Sequence, residues 1–165
     1  MVEIRDVCPD EWRGLRELRL RALETDPDAF GSTLAEELAT PDAAWTAWAA
    51  DGWGIGAQTT LVAVDGDRRL GMGVCILLEA EPGTAKVFAM WVEPAARRGG
   101  LGRDLLDALT RWASSTEAEE LLLDVTEDNT AAMSLYEQEG FTSTGHSALL
   151  RAGSKLKTIS MRKPL

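Results

Sequence analysis

Residues 85–113 constrain the chain more than any other stretch. A segment over 85–92, uncharged and apolar from Val87 to Val92, passes through Glu93-Pro94-Ala95-Ala96 into Arg97-Arg98-Gly99-Gly100-Leu101-Gly102-Arg103. Apolar residues then recur at Leu101, Leu105, Leu106, Leu109, Trp112 and Ala113. The first part reads as a strand, the last as a helix with one apolar stripe, and the glycines between as the turn that joins them. A strand feeding such a helix is stable when the stripe is buried against a sheet, so the segment points to an α/β architecture. Gly99, Gly100 and Gly102 let successive backbone N–H groups face one concavity at a helix start, where the dipole favours an anion. Arg97, Arg98 and Arg103 place positive charge at the same spot.

That local charge opposes the total. The 165 residues carry 17 Lys+Arg against 27 Asp+Glu, a formal charge of −10. An acidic surplus of this size argues against a nucleic-acid partner, whose phosphates are bound by Lys and Arg with release of counterions. It suits a cationic small molecule or a basic peptide better. Two nucleotide motifs are excluded at the cradle itself. Walker A needs Gly-Lys-Ser/Thr, whereas Gly102 is followed by Arg103-Asp104. The dinucleotide fingerprint lacks its third glycine and the acidic residue beyond the next strand. Gly52-Trp53-Gly54-Ile55-Gly56 imitates part of that fingerprint, but no strand precedes it and no helix follows, so it reads as a loop.

The rest of the chain supports a single α/β domain over 1–165. Residues 2–7 alternate like a strand, and Pro9-Asp10-Glu11 opens a helix with Trp12, Leu15, Leu18 and Ala22 on one stripe. Asp26-Pro27-Asp28 ends it. Residues 32–51 suit one or two short helices interrupted at Pro41. Strands at 60–64, 69–78 and 85–92, joined by turns at Asp65-Gly66-Asp67 and Pro82-Gly83, form an antiparallel meander. After the helix at 101–113 come a strand at 120–125, a helix at 129–139 ended by Gly140, and strands at 141–145 and 156–162. The total is a sheet of about seven strands with helices on its faces. Alternation in the central strand puts Phe88, Met90 and Val92 on one face and Ala89 and Trp91 on the other.

The charged first residues are not those of a secretory signal, and no apolar run approaches the roughly 20 residues that span a bilayer. The expectation is a cytoplasmic protein with no membrane partner. Cys8 and Cys75 have no metal-like spacing and read as reduced thiols, and no metal is expected.

Two separated segments resemble the GCN5-related N-acetyltransferase (GNAT) superfamily. Arg97-Arg98-Gly99-Gly100-Leu101-Gly102 matches the family's Arg/Gln-x-x-Gly-x-Gly/Ala loop, with Val92 and Pro94 ahead of it and Leu105-Leu106 after it. Asn129-x-x-Ala132-x-x-Leu135-Tyr136-Glu137-x-x-Gly140-Phe141 is similar to its second signature. The resemblance implies a mixed, mostly antiparallel seven-stranded sheet flanked by about four helices. It also implies acetyl-CoA as acyl donor, its pyrophosphate on residues 97–103. By the same carry-over, the backbone of Met90, Trp91 and Val92 pairs with the pantetheine arm, Asn129 contacts the cofactor and Tyr136 is the general acid.

Transfer to an amine needs a neutral nucleophile, a stabilised oxyanion and a proton for the leaving thiolate. Tyr136 is the only tyrosine and is protonated at neutral pH, so it can donate; without the motif it would read as a core aromatic. The base is less defined, because the central strand lacks the glutamate that many family members carry. Asp124, on a largely apolar strand, is either a structural hydrogen-bond acceptor or a base acting through water. Glu36, Glu37, Glu79 and Glu81 are alternatives. The family places the acceptor between the first helical pair and the last strand connection, here residues 29–37, including Phe30, Ser32 and Glu36, and residues 145–155. Trp45, Trp48 and Trp53 are candidate walls, and His146 lies in the stretch between the last strands without a role. The expected activity is transfer of acetyl to a small amine, amino acid or peptide N-terminus in a ternary complex. The competing readings are a CoA-binding module with weak catalysis and a general phosphate-ligand binding protein. A homodimer is compatible with either.

Overall fold

Alternation along the strands gives the sheet two buried faces. Val62, Val64, Met72, Val74 and Ile76 pack on one side with Leu15, Leu18 and Trp45. Leu61, Ala63, Cys75, Ala85 and Val87 pack on the other with Leu105, Leu106 and Leu109. The computed structural model describes all 165 residues. In chain order the elements are β1 (Glu3–Asp6), α1 (Trp12–Thr25), α2 (Leu34–Leu38), α3 (Asp42–Asp51), β2 (Gln58–Asp65), β3 (Arg68–Leu77), β4 (Thr84–Val92), α4 (Leu101–Ser114), β5 (Glu120–Thr126), α5 (Thr130–Gln138), β6 (Thr142–Leu149) and β7 (Lys157–Pro164). The expected seven strands are present, and helices α1 to α3 and α4 to α5 cover opposite faces. The single helix pattern expected from Pro9 divides into a 3-10 turn over Pro9–Glu11 and α1. His146 falls within β6 rather than between the last strands, because β6 continues past the Gly145 turn to Leu149.

The sheet order is β1-β2-β3-β4-β5-β7-β6. Neighbours are antiparallel except β4 and β5, which α4 connects by a crossover and which therefore run parallel. Their pairing is short, from Thr84↔Glu120 to Lys86↔Leu122. Beyond that rung the two strands diverge, and the divergence creates the main cleft of the molecule.

A bulge accompanies the divergence. Met72 pairs with Trp91 and Val74 with Phe88, so Ala89 and Met90 on β4 face the single residue Gly73 on β3. Ala89 takes a left-handed conformation with φ 52°, which costs a non-glycine residue about 1–3 kcal/mol and persists when the surroundings impose it. The extra residue resets the alternation. Phe88 packs against the α1–α3 side with Trp91, while Met90 and Val92 pack on the α4 side. The sequence-based grouping of Phe88 with Met90 and Val92 is thus corrected, since period-two alternation does not survive an inserted residue. Gly71 is required opposite this point: a Cβ there would lie 2.8 Å from the Trp91 carbonyl oxygen and 3.1 Å from Leu105 Cδ1.

Candidate active site

The cleft between the splayed strands has a volume of about 860 Å³. Its walls are the second half of β4 with Met90, Trp91 and Val92, the end of β5 with Asp124, the first turns of α4 and α5, and residues 26–29. The glycine-rich turn closes one end. Gly100 is the N-cap of α4 with φ 91° and supplies no side-chain hydrogen bond. The first bond into the helix is Asp104 N–H to the Gly100 carbonyl, so the N–H groups of Leu101, Gly102 and Arg103 have no i−4 acceptor. No atom lies within 4 Å of where a Cβ would stand on Gly99 or Gly100. This is an open cradle of uncommitted donors at the start of a 14-residue helix, and it fits a phosphate or pyrophosphate.

The three arginines are not equivalent. Arg97 donates through Nε to the Val92 carbonyl at 2.9 Å and through Nη2 to Asp26 Oδ2 at 2.5 Å. Trp91 Nε1 donates to the same Asp26 oxygen at 2.7 Å. Arg103 pairs with Glu139 at 2.6 Å and donates to Gln138 on α5. Arg98, exposed and at φ 68°, forms no ion pair. The sequence placed three free positive charges at the cradle, but two are neutralised by acids that the fold brings from elsewhere. Backbone N–H groups are therefore the larger part of the uncommitted donors at this candidate anion site.

Helix α5 positions the other motif. Asn129 is its N-cap, with Oδ1 accepting from Ala132 N–H at 3.2 Å, and seven residues later Tyr136 faces the same cleft. The Tyr136 ring is buried against Phe141, with centroids 5.9 Å apart. Burial pushes its phenol up to about 12, with no hydrogen bond contributing. The hydroxyl is thus a protonated donor at neutral pH, free to bond a ligand.

Asp124 has acquired two partners. Lys86 Nζ lies 2.8 Å from Oδ2, and Ser160 Oγ donates to Oδ1 at 2.6 Å. The acceptor-side expectations separate. Phe30 is buried in the core with the Arg19 guanidinium 4.6 Å over its ring. Glu36 closes a capping box with Thr33 at the start of α2, and neither it nor Ser32 lines the cleft. Residues 26–29 do, held by Thr126 Oγ1 on the Asp28 carbonyl and by Arg151 on the Pro27 and Phe30 carbonyls. Trp45 and Trp48 are core, whereas half-buried Trp53 meets Phe88 at 5.8 Å. Asp26, Lys86 and Arg151 were missed. Asp26 looked like part of a helix-ending turn, while Lys86, the one charge in an otherwise uncharged β4, was a signal that reasoning could have used.

Neither cysteine lines the cleft. Cys75 is fully buried and its thiol is pushed up to about 12 by desolvation. Together with Tyr136 it makes stability fall at alkaline pH. In the unfolded chain these groups ionise from their ordinary values of 9.0 and 10.0, while the folded state keeps both protonated to about 12. Their contribution is complete below pH 9 and falls as pH rises, by up to about 1.4 kcal/mol per pH unit for each group. Urea midpoints measured between pH 8 and pH 11 should decline above pH 9 and more steeply above pH 10; a flat profile contradicts the assignment.

Fold and site together define a seven-stranded α/β protein whose one parallel pair opens into a cleft ahead of a glycine-rich helix start. Residues 12–141 match the acetyltransferase (GNAT) family. The chain is 34% identical over 137 residues to a mycothiol acetyltransferase from Geodermatophilus obscurus, covering 81% of this chain and 41% of that one. It spans less than half the length of that relative. An acetyltransferase of the GNAT family from Streptococcus pneumoniae superposes with a TM-score of 0.81 at 24% identity, over 100% of both chains. A Salmonella typhimurium protein solved with its cofactor acetyl-CoA gives 0.80 at 20% identity, over 100% of this chain and 94% of that one. At these identities the structures support the shared fold. The chain belongs to the GNAT acetyltransferase family.

Proposed function

We propose that this chain is an acetyl-CoA-dependent N-acetyltransferase that passes the acetyl group directly to a primary amine. The observation that carries the reading is the protonated, buried Tyr136 in the same cleft as the open cradle at Gly99–Gly102. The N–H groups of Leu101, Gly102 and Arg103 would hold the pyrophosphate, with Arg97, Arg98 and Asn129 beside them, and the backbone of Met90, Trp91 and Val92 the pantetheine arm. When bound, acetyl-CoA supplies an activated thioester carbonyl. Tyr136 donates its proton to the departing sulfur, and a backbone N–H at the β4 bulge stabilises the oxyanion. Asp124 takes the proton from the attacking amine: its two hydrogen bonds leave half of its roughly four lone-pair sites open. No acyl-enzyme is needed, since Cys75 is sealed in the core.

The test is release of free CoA thiol from acetyl-CoA in the presence of primary amines: alkylamines, amino acids and peptides with free N-termini. Thiol release above the amine-free rate is expected for at least one class. Tight acetyl-CoA binding with no amine-dependent release would instead support a binding module, the reading favoured by the lack of a β4 glutamate.

A further inference from the structure

Lys86 holds a primary amine against two residues that line the cleft, Asp124 and Phe88. Its backbone forms the last paired rung between β4 and β5, the vertex at which the strands part. From there the side chain reaches forward along β5, so that Nζ lies 2.8 Å from Asp124 Oδ2 and 5.3 Å from the centre of the Phe88 ring. Asp124 and Phe88 both line the cleft that holds Tyr136. A carboxylate and an aromatic face are the two groups expected around the ammonium of an amine acceptor. In this protein they already hold one, and it is covalently part of the chain.

We propose that Lys86 is an internal acetyl acceptor, so that the protein acetylates its own Lys86 when supplied with acetyl-CoA. The inference rests on the transferase reading above. The Lys86 ammonium gives one proton to Asp124, which passes it to solvent. The freed lone pair attacks the thioester carbonyl carbon, the C–S bond breaks and an N–C amide bond forms. The second proton lost by nitrogen ends on the thiolate sulfur, so the products are Nε-acetyl-Lys86 and the free thiol. Acetylation removes the positive charge from Asp124, leaving that carboxylate with Ser160 alone and open to the ammonium of an external acceptor.

The experiment needs no knowledge of that acceptor. The full chain is incubated with acetyl-CoA and no added amine, and the time course of acetylation at each lysine is followed by peptide mass spectrometry. Lys155 and Lys157 are exposed, whereas the Lys86 side chain is only 23% exposed; spontaneous chemistry therefore favours the former. Enzymatic transfer reverses the order, with Lys86 modified at least about ten-fold faster because its amine is held against Asp124, the candidate base. Tyr136→Phe should slow Lys86 and leave Lys155 and Lys157 unchanged. Lys86 unmodified, or modified no faster than the exposed lysines, overturns the proposal. If thiol release with added amines is seen in that case, the transferase reading stands and only self-acetylation is lost; if it is not, both fall.

Discussion

Tyr136→Phe is expected to lower kcat for acetyl transfer by about 10²–10³-fold, within the roughly 10²–10⁴-fold that a positioned general acid contributes. That is about 3–4 kcal/mol of transition-state stabilisation. The loss falls on kcat because the proton is needed only as the C–S bond breaks; acetyl-CoA affinity, set at the cradle, stays close to that of the unaltered protein. The substitution is also structurally mild. The ring keeps its contact with Phe141, and the hydroxyl that is removed contributes no hydrogen bond to the protein. Thermal stability is accordingly unchanged or slightly raised, which separates a chemical defect from a folding one. Steady-state kinetics with the amine found by the thiol assay, beside calorimetric titration of acetyl-CoA, make the comparison. An unchanged kcat removes Tyr136 from the chemistry and returns it to the core.

Gly100→Val should abolish tight acetyl-CoA binding. Gly100 lines the cleft, and a Cβ on it meets no protein atom within 4 Å, so the branches of a valine would take up open space at the start of α4. Loss of even one or two charge-assisted hydrogen bonds raises Kd by about two orders of magnitude. A second effect acts on the fold, since the left-handed backbone at φ 91° is unfavourable for a β-branched residue, by about 1–3 kcal/mol. Gly100→Ala separates the two: it adds the strain of a Cβ with less bulk, so it should melt nearly as early as the valine variant while binding acetyl-CoA more tightly. Undiminished binding by Gly100→Val takes the cradle out of the site.

The elements that could be read without a structure share a local origin. The helix at 101–113 and the cradle before it follow from glycine spacing and one apolar stripe. Asn129 and Tyr136 share a cleft because both belong to one helix, whose geometry is set by its own backbone. The bulge at Ala89 had no such signature. No glycine on β4 marks it, and the glycines that face it, Gly71 and Gly73, lie on another strand. Phe30 and Glu36 were expected at the acceptor side, yet Phe30 is drawn into the core under Arg19 and Glu36 satisfies the N-terminus of α2.

The order of strands and helices along the chain, the candidate anion cradle at residues 97–103 and the tyrosine on the helix after it were legible in local pattern, because periodicity and turn chemistry act over a few residues. The partner of each charge was not, because it depends on the assembled fold. Asp26 reaches Arg97 across 71 positions of the chain, and Asp124 meets Ser160 across 36. Such pairs are formed by segments that meet only when the sheet assembles, and no local pattern records them. They leave mainly backbone donors uncommitted at the candidate cradle, and they set an amine of the protein's own beside its candidate base.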